Sequence, residues 1–372
     1  MSNIFSRDGG AARRGFRRGS IVASLAAVSL AAAACGGGGG SGTTSGGGGA
    51  GGSSSSQASC GSTKANPGGG SASADTKSIT ASNGQLPQGT PGKGKPSVNL
   101  GDKNFPEEYL LGSLYQQALQ AKGFTVSVKK GVGGSETIDK AFQSGQIDMY
   151  PEYLGEIVTS VAQQKPQKSA KATYDVAKKF EESKRDATLL KQTPYQDVDV
   201  LFVKTDFCKK YNLKSIADLK KVGTNGQGVK YSAQPSARTR LAGFKGLKDV
   251  YGLTAAQFVG ADVGQSYKAV DTGAANVGDG FSTDPALGLG LDSGKYRTLT
   301  DPQHIMGFQY VAPVIKKSVV QQQGPAFEQT LNWVDSLLTQ KAILQLNKAV
   351  QVQHQSEDSV AKKFLSANGL KG

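Results

Sequence analysis

Length, composition and charge exclude several classes of protein before any motif is considered. The chain has 372 residues and a formal net charge of +14, but its basic residues are scattered rather than gathered beside aromatic residues, so nucleic-acid binding is not indicated. It has two histidines, His304 and His354, and neither lies in a sequence context typical of a catalytic or metal site. We therefore expect no histidine-based hydrolase, no metal and no cofactor.

The first 34 residues have the pattern of an export signal. Residues 13–34, RRGFRRGSIVASLAAVSLAAAA, combine a basic start with an apolar stretch that ends in small side chains. The apolar stretch is too short to span a membrane. The paired Arg13 and Arg14 leave both the general and the twin-arginine export routes open. Removal of this segment takes away five arginines and one aspartate, so the net charge falls from +14 to +10.

Cys35 directly follows the signal and is the candidate for the lipid-modified residue of a bacterial lipoprotein. The third residue before it is Ala32, where such signals usually carry leucine, so a plain cleaved peptide remains an alternative. Lipidation predicts a protein anchored to the outer face of the cytoplasmic membrane.

Residues 35–95 are dominated by Gly, Ser, Thr, Ala and Pro and predict a disordered tether. They have too little apolar surface to offset the entropy cost of ordering the chain. An ordinary disordered N-terminus without an anchoring role is the alternative.

Cys60 lies in this stretch and Cys208 lies in the folded part. An exported compartment permits a disulfide between them, but the sequence leaves this pairing open.

Strand-like and helix-like patterns alternate from residue 97 onward. The first series has strand, helix, strand, helix and strand at SVNLGDK, 106–122, FTVSVKK, ETIDKAFQSG and IDMY. The second has strands at 197–204, 229–233, 275–281 and 309–317, helices at 215–222 and 238–252, and a mainly helical tail. This alternation predicts an α/β fold with parallel pairing, and two series fit two lobes better than one continuous sheet.

The segment QIDMYPEYLGE, residues 146–156, places Tyr150 and Tyr153 around a proline. Pro151 lacks a backbone donor and restricts Tyr150 to extended geometry, so we expect the strand to end there and a helix to begin at LGEIVTSV. Both tyrosines would then lie at the carboxyl end of a strand, where open α/β sheets bind ligands and where aromatic faces attract cations. Two core tyrosines with satisfied hydroxyl groups are the alternative.

Five stretches of the chain occur together in a recognisable order: GDKNFPEEYLLGSL, GSETIDKAFQSGQIDMYPEYLGE, RTRLAGFKGL, GDGFSTDPAL and QYVAPVI. In this respect the chain, over residues 97 to 368, resembles the substrate-binding proteins of osmoprotectant (glycine betaine, carnitine, choline) ABC transporters. The resemblance implies a two-lobed type II periplasmic-binding-protein fold that closes on a ligand. We expect lobe 1 at 96–196, lobe 2 at 197–308 and a helical return to lobe 1 at 309–372.

The resemblance also implies which residues bind the ligand. Members of this family hold a quaternary ammonium group in a cage of aromatic rings and its carboxylate with basic and polar groups. By position, Lys103 and Arg240 are the candidates for the carboxylate, and Tyr153, Phe281 and Tyr310 are the candidates for the cage. The alternatives are a solvated lysine, an arginine paired with a nearby acid, and rings that only fill the hinge.

Two departures from the family pattern bear on the ligand. Glu156 stands where the family usually has a small hydroxyl side chain, and Asp199 stands where many members have a cage tyrosine, with Tyr195 and Asp197 close by. Added acids favour a cation and disfavour a net anion, so we expect a positively charged or zwitterionic solute. Exposed acids on an edge strand are the alternative.

The resulting interpretation is a membrane-tethered, monomeric receptor that captures a small solute outside the cell and delivers it to an ABC transporter permease. It is not expected to be an enzyme. An exported lipoprotein that signals to a membrane partner, an exported enzyme on the same scaffold and a structural lipoprotein with a closed, dry cleft are the rival interpretations.

Overall fold

The computed structural model describes residues 60–65, 78–82 and 84–370. The predicted export signal and Cys35 lie outside these residues. The strands are β1 (Val98–Gly101), β2 (Val126–Lys129), β3 (Met149–Tyr153), β4 (Ala187–Leu189), β5 (Asp199–Lys204), β6 (Lys230–Ala233), β7 (Gln257–Gly260), β8 (Val277–Phe281), β9 (Tyr296–Thr298) and β10 (Val311–Lys316).

The helices surround these strands. The α-helices are α1 (Pro106–Ala121), α2 (Ser135–Gln143), α3 (Leu154–Glu156), α4 (Ala170–Lys184), α5 (Thr205–Tyr211), α6 (Phe244–Asp249), α7 (Ser266–Thr272), α8 (Pro285–Asp292), α9 (Lys317–Gln323), α10 (Pro325–Leu337), α11 (Gln340–Gln351) and α12 (Glu357–Ala367). A π-helical turn at Ile157–Val161 continues α3, and 3-10 turns lie at Ile216–Val222, Thr224–Gly226 and Pro235–Arg238.

The strands form two five-stranded sheets with the same topology. The first sheet has the order β2-β1-β3-β10-β4, and the second has the order β7-β6-β8-β5-β9. In each sheet the first three strands of the order pair in parallel, and one strand that arrives from the other sheet pairs antiparallel with both of its neighbours. Lobe 1 is the first sheet with its helices, and lobe 2 is the second sheet with its helices. The predicted α/β class is confirmed.

Two crossover segments, residues 190–198 and 299–310, join the lobes and pair with each other. Gln196 forms an antiparallel bridge with Tyr310, and the backbone N–H of Asp197 donates to the carbonyl oxygen of Gln309 at 2.9 Å. The predicted lobe boundaries after residues 196 and 308 fall within these segments and stay a prediction.

Hydrophobic clusters cover both faces of each sheet. On β3 the side chains alternate, so that Met149 packs in the cluster that includes α1 while Tyr150 packs in the opposite cluster with Phe142. On β5, Leu201 and Phe202 likewise belong to different clusters. The C-terminal helices α10, α11 and α12 pack on α1, which returns the end of the chain to lobe 1.

Several helices begin at side-chain caps that can be located in the sequence. Ser169, Thr339 and Ser356 each precede a helix and accept a hydrogen bond from a backbone N–H three residues later. α1 begins instead with Pro106, whose missing N–H costs nothing at the first helical position.

β3 differs from the prediction, because it continues through Pro151 instead of ending there. Pro151 faces Pro313 of β10 in the antiparallel ladder. Neighbouring β1 pairs with β3 only at Met149, so the donor that Pro151 lacks is not needed by the sheet. The helix predicted after this strand does follow, as α3 and the π-helical turn.

The helix predicted at 238–252 is also wrong in extent. The chain forms a 3-10 turn at Pro235–Arg238 and then α6 at Phe244–Asp249. Gly243 lies at this break in extended backbone, so close to the carbonyl oxygen of Ala237 that any Cβ there would overlap.

Part of the stretch predicted as a disordered tether is ordered. Residues 60–65 lie beside β9, where Ser62 bridges to Thr298, and residues 78–82 lie beside lobe 1, where Thr80 bridges to Gln192. The physical reason is that backbone hydrogen bonds to each lobe and the burial of Cys60 and Ile79 compensate for the polar composition. Within residues 60–65, 78–82 and 84–370, no helix is long and apolar enough to cross a membrane.

Candidate functional site

A cavity of about 250 Å³ lies between the two lobes, where several strands and their loops end. Lobe 1 contributes the loop after β1, the end of β3 and the start of α2, and lobe 2 contributes the start of β5, the end of β8 and the segment before α6. The predicted site residues that line it are Lys103, Tyr153, Glu156, Asp197, Asp199, Arg240 and Phe281. The topology therefore brings predicted residues from five distant parts of the chain into one cavity.

Two aromatic rings of lobe 1 form one wall of this cavity. Phe105 and Tyr153 are stacked, with ring centroids 6.1 Å apart and an interplanar angle of 30°. The ammonium group of Lys103 lies 4.2 Å from the centroid of Tyr153 and 5.8 Å from that of Phe105. The two rings therefore already interact with one cation, the ammonium group of Lys103, through their negative π-surfaces.

Lys103 itself is buried and paired with acids of lobe 1. Its Nζ lies 2.5 Å from Oε1 of Glu152 and 3.8 Å from Oε1 of Glu108, and its side chain is 4% exposed. Burial alone would lower the pKa of Lys103, but the charges of Glu152 and Glu108 raise it above its ordinary value. Burial also raises the pKa of Glu108 to about 8. The lysine is thus a buried, compensated cation and not a solvated one.

The hydroxyl group of Tyr153 is held behind the cavity wall by Glu107. Tyr153 donates to Oε1 of this carboxyl group at 2.8 Å, Tyr195 donates to the same oxygen at 3.2 Å, and Asn347 of α11 donates to Oε2 at 2.7 Å. Burial raises the pKa of Glu107. These contacts fix the orientation of the Tyr153 ring and hold its hydroxyl group on Glu107.

Arg240 of lobe 2 reaches across the cavity to lobe 1. Its guanidinium group forms an ion pair with Glu156 and lies 3.5 Å from Oδ2 of Asp199. Burial would raise the pKa of Glu156, but the charge of Arg240 and a 2.6 Å hydrogen bond from Ser160 hold it below its ordinary value. The charge of Glu156 raises the pKa of Arg240 in return. This pair is a direct electrostatic link between the lobes.

Asp199 is left with unused hydrogen-bonding capacity. It is 6% exposed, and its Oδ1 has no hydrogen-bond partner in the part of the chain that the structure describes. Burial raises the pKa of Asp199 to about 6, against the opposing charge of Arg240. Burial raises the pKa of neighbouring Asp197 well above its ordinary value. A buried carboxylate without a full set of partners is costly unless a ligand supplies one.

The sequence agrees with one established family over the whole of this two-lobed body. Residues 96–367 match the family model OpuAC, described as the substrate binding domain of an ABC-type glycine betaine transport system. The chain belongs to this family. It is the substrate-binding receptor of an ABC-type importer, and proteins of the OpuAC family are transport binding proteins that work outside the cytoplasm.

Individual OpuAC relatives show the same agreement. The chain is 28% identical to a glycine betaine-binding protein of Escherichia coli K12 over 282 residues, which cover 73% of this chain and 90% of that protein. It is 26% identical to a glycine-betaine-binding protein of Pseudomonas aeruginosa over 283 residues, which cover 74% and 88%. The crystal structure of a glycine betaine/carnitine/choline ABC transporter protein is similar in fold, with a TM-score of 0.60 at 19% identity over 73% of this chain and 99% of that one.

Three residues that the sequence analysis expected at the ligand, Tyr150, Tyr195 and Tyr310, are not among those that line this cavity. Tyr150 packs against Phe142 with ring centroids 5.3 Å apart, because the alternation along β3 turns it away from Tyr153. Tyr195 lies behind Tyr153 and reaches only Glu107, and Tyr310 is buried in the same cluster as Tyr150. These three positions are corrected from cavity wall to packed interior.

The structure adds Phe105 and Gln309 to the lining of the cavity. Phe105 is two residues after Lys103 and directly before the proline that starts α1, so its place at a strand end was a usable sequence signal. Gln309 carried no such signal, because it lies in a crossover segment whose path depends on both lobes. No group of metal-ligating side chains that could hold an ion occurs within the described residues.

Proposed function

We propose that this receptor captures a small quaternary-ammonium solute, cationic or zwitterionic, in the cavity between its lobes and delivers it to a membrane permease. The observation that carries the proposal is that the Phe105 and Tyr153 ring pair and the incompletely partnered carboxylate of Asp199 line the same cavity. Electron-rich rings attract a cation through their faces, and the carboxylate of Asp199 attracts it through its negative charge.

The ring pair supports the cationic half of this proposal. The ammonium group of Lys103 already lies over Tyr153 at 4.2 Å, which indicates that a positive charge is stable at this wall. Phe281 of lobe 2 lines the same cavity, so that a ligand would meet rings from both lobes. A cation–π contact with a desolvated ring contributes about 2 kcal/mol.

The basic residues support a preference for a net cation over a zwitterion. Both residues that are candidates for binding a ligand carboxylate already form ion pairs, Lys103 with Glu152 and Arg240 with Glu156. A ligand carboxylate would have to compete with these acids, whereas an uncharged hydroxyl group would not. We therefore expect choline to bind more tightly than glycine betaine, the solute named for the E. coli and P. aeruginosa relatives.

Closure of the lobes would couple binding to delivery. The Arg240–Glu156 pair joins lobe 2 to lobe 1 across the cavity, and the two paired crossover segments lie at its base. A ligand that contacts both lobes stabilises the closed state relative to the open one. In this proposal Cys35 carries the lipid anchor, the receptor works as a monomer, and the ligand leaves unchanged.

A thermal-shift screen of the mature chain tests this function. The panel contains choline, carnitine, glycine betaine, a polyamine, a dicarboxylate and a sugar. We expect quaternary ammonium compounds to raise the melting temperature, since a ligand at 100 times its Kd adds about 2.7 kcal/mol of stability. Phe281→Ala should reduce this shift, whereas Phe207→Ala, which removes a half-buried ring of lobe 2 that packs against Tyr211, should not. Shifts confined to the sugar or the dicarboxylate would refute the proposal.

A further inference from the structure

Residues 60–65 extend the sheet of lobe 2. The backbone N–H of Ser62 donates to the carbonyl oxygen of Thr298 at 2.9 Å, and that of Thr298 donates back to Ser62 at 3.0 Å. The N–H of Gly61 donates to the carbonyl oxygen of Leu213 at 2.7 Å. The segment is therefore fixed beside β9 at one edge of the sheet, which places Cys60 against α5.

Cys60 and Cys208 meet at this point. They are 6% and 0% exposed, both are free thiols in this structure, and both lie in the same hydrophobic cluster of lobe 2. Cys60 donates to the carbonyl oxygen of Thr205, the first residue of α5, at 3.9 Å, and Cys208 of the same helix donates to that of Leu213 at 3.3 Å. Gly61 permits the approach, because its φ of +59° lies in the left-handed region and a Cβ there would stand 3.2 Å from Sγ of Cys208 and 2.8 Å from Cβ of Arg297.

We propose that Cys60 and Cys208 form a disulfide that fastens the N-terminal segment to lobe 2. Two S–H bonds break and one S–S bond forms; two protons leave to solvent, and two electrons pass to a thiol–disulfide oxidant of the extracytoplasmic compartment. Proteins of this family work in that compartment, where disulfides persist. The bond forms as the chain folds, since both sulfur atoms are shielded from bulk solvent once the segment has docked.

The disulfide would fasten one end of a third connection between the lobes, which the N-terminal segment forms in addition to the two crossover segments. After residue 65 the chain continues to residues 78–82, which pair with lobe 1: the N–H of Ala81 donates to Gln192 at 2.7 Å, and the N–H of Gln192 donates to Ile79 at 3.0 Å. Residues 66–77 lie outside the described part of the chain. The N-terminal segment thus contacts lobe 2 first and lobe 1 second, in addition to the two crossovers. A covalent bond at the lobe 2 contact keeps the predicted tether leaving from lobe 2 whether the lobes are open or closed.

The number of cysteines fits this assignment. The chain has three cysteines, and Cys35 is the position expected to carry a lipid. Cys60 and Cys208 are then the remaining pair, so no thiol is left over for intermolecular bonds.

Peptide mapping of the full mature chain tests for the bond. Cells that export the protein are treated with a thiol-alkylating reagent before they are opened, and the protein is then denatured in the same reagent without reductant and digested. We expect a cross-linked pair of peptides that contain Cys60 and Cys208, which separates after reduction into two peptides with free thiols. Recovery of both cysteines in the alkylated form without reduction would overturn the proposal.

Hydrogen exchange tests the consequence. In the oxidised wild-type protein, we expect the amides of Ser62 and Thr298 to exchange at least about tenfold more slowly than in the reduced wild type or in Cys60→Ser, because the bond suppresses local opening of this edge. The reduced wild-type protein serves as the matched control, since its sequence and core are unchanged. Equal exchange at Ser62 in the oxidised and reduced proteins would overturn the fastening role even if the bond is present.

Discussion

Tyr153 presents its ring to the cavity while its hydroxyl group is bound behind the wall by Glu107. Tyr153→Leu removes the aromatic face and should weaken choline binding by about tenfold or more, which corresponds to the loss of one cation–π contact. Tyr153→Phe is the matched control, because it keeps the ring and loses only the hydroxyl group; its affinity should stay within a few-fold of wild type. Calorimetric titration measures both. Equal losses in the two variants would contradict a role for the ring.

Asp199 gives choline binding a defined pH dependence. Because burial raises its pKa to about 6, the carboxyl group is ionised above that pH and attracts the cation, and it becomes neutral as the pH falls through about 6. We expect the affinity to fall by up to about tenfold for one pH unit below the pKa. Choline carries a permanent charge, so its own ionisation does not contribute.

Four other ionisable groups in and beside the cavity should keep their charge state in this range. Glu156 is held ionised by Arg240, Lys103 stays charged, and burial keeps Asp197 and neighbouring Asp279 protonated. Asp199→Asn should therefore give weak binding with a flat profile between about pH 5 and about pH 7. A wild-type profile that is flat over the same range would show that Asp199 does not meet the ligand.

Glu156 should control the choice between cation and zwitterion. Glu156→Gln removes the partner of Arg240 and frees a guanidinium group for a ligand carboxylate, so the ratio of glycine betaine affinity to choline affinity should rise by about tenfold. Glu136→Gln is the control, because Glu136 also lines the cavity but is exposed and forms no ion pair with Arg240 in the described part of the chain. Competition titrations with both solutes measure the ratio, and an unchanged ratio would contradict the proposed competition.

The sequence could predict part of this site because some residues lie at positions fixed by local pattern. Tyr153 ends a strand, and Asp199 and Arg240 correspond to family positions, so they were predicted and do line the cavity. Tyr150 and Tyr310 were assigned to the ligand, but the face to which a strand residue points depends on the register with its neighbours. That register is a property of the assembled sheet.

At the scale of elements, β8 packs so closely on β5 that it requires glycine. A Cβ at Gly278 would overlap the ring of Phe202. That ring packs against Tyr267 and Tyr296, with ring centroids 4.6 Å and 4.8 Å away. Gly278→Ala should lower the free energy of unfolding by about 2 kcal/mol, because the ring has no space to move.

Gly288 in α8 offers the matched control for this change. A Cβ there meets nothing within 4 Å, so Gly288→Ala should be neutral or slightly stabilising. Urea unfolding of both variants measures the difference. Equal stability of the two variants would show that lobe 2 repacks around the added methyl group.

The elements show where sequence patterns were sufficient and where they were not. The strand–helix–strand series at the start of lobe 1 was predicted from hydrophobic spacing and is present. In lobe 2 the helix predicted at 215–222 is the 3-10 turn Ile216–Val222, and α5, which was not predicted, precedes it. The passage of β3 through Pro151 was not predicted, because it depends on the neighbouring strands: β1 pairs only up to Met149, and Pro313 lies opposite. The two sheets share one strand order, yet no internal repeat stands out in the sequence. The topology determines which positions are buried, but it does not determine which residues occupy them.

At the scale of the whole molecule, residues 60–65 and 78–82 differ from the structure that their composition predicts. A polar, glycine-rich stretch predicts a tether, yet residues 60–65 and 78–82 make backbone hydrogen bonds to lobe 2 and lobe 1. Composition reports how much apolar surface a segment can bury by itself, but not whether a pre-formed sheet edge accepts it. Ordered structure is therefore present at residues 60–65 and 78–82, where the sequence predicted a tether.

The central claim is that a positive charge is bound between the lobes by aromatic rings and a carboxylate. Calorimetric titration of the mature protein at about pH 7 with choline and with 3,3-dimethylbutan-1-ol, its uncharged analogue of the same shape, tests it most directly. We predict saturable one-site binding of choline and at least about tenfold weaker binding of the neutral analogue. Equal affinities for the two compounds, or no binding of either, would contradict the account.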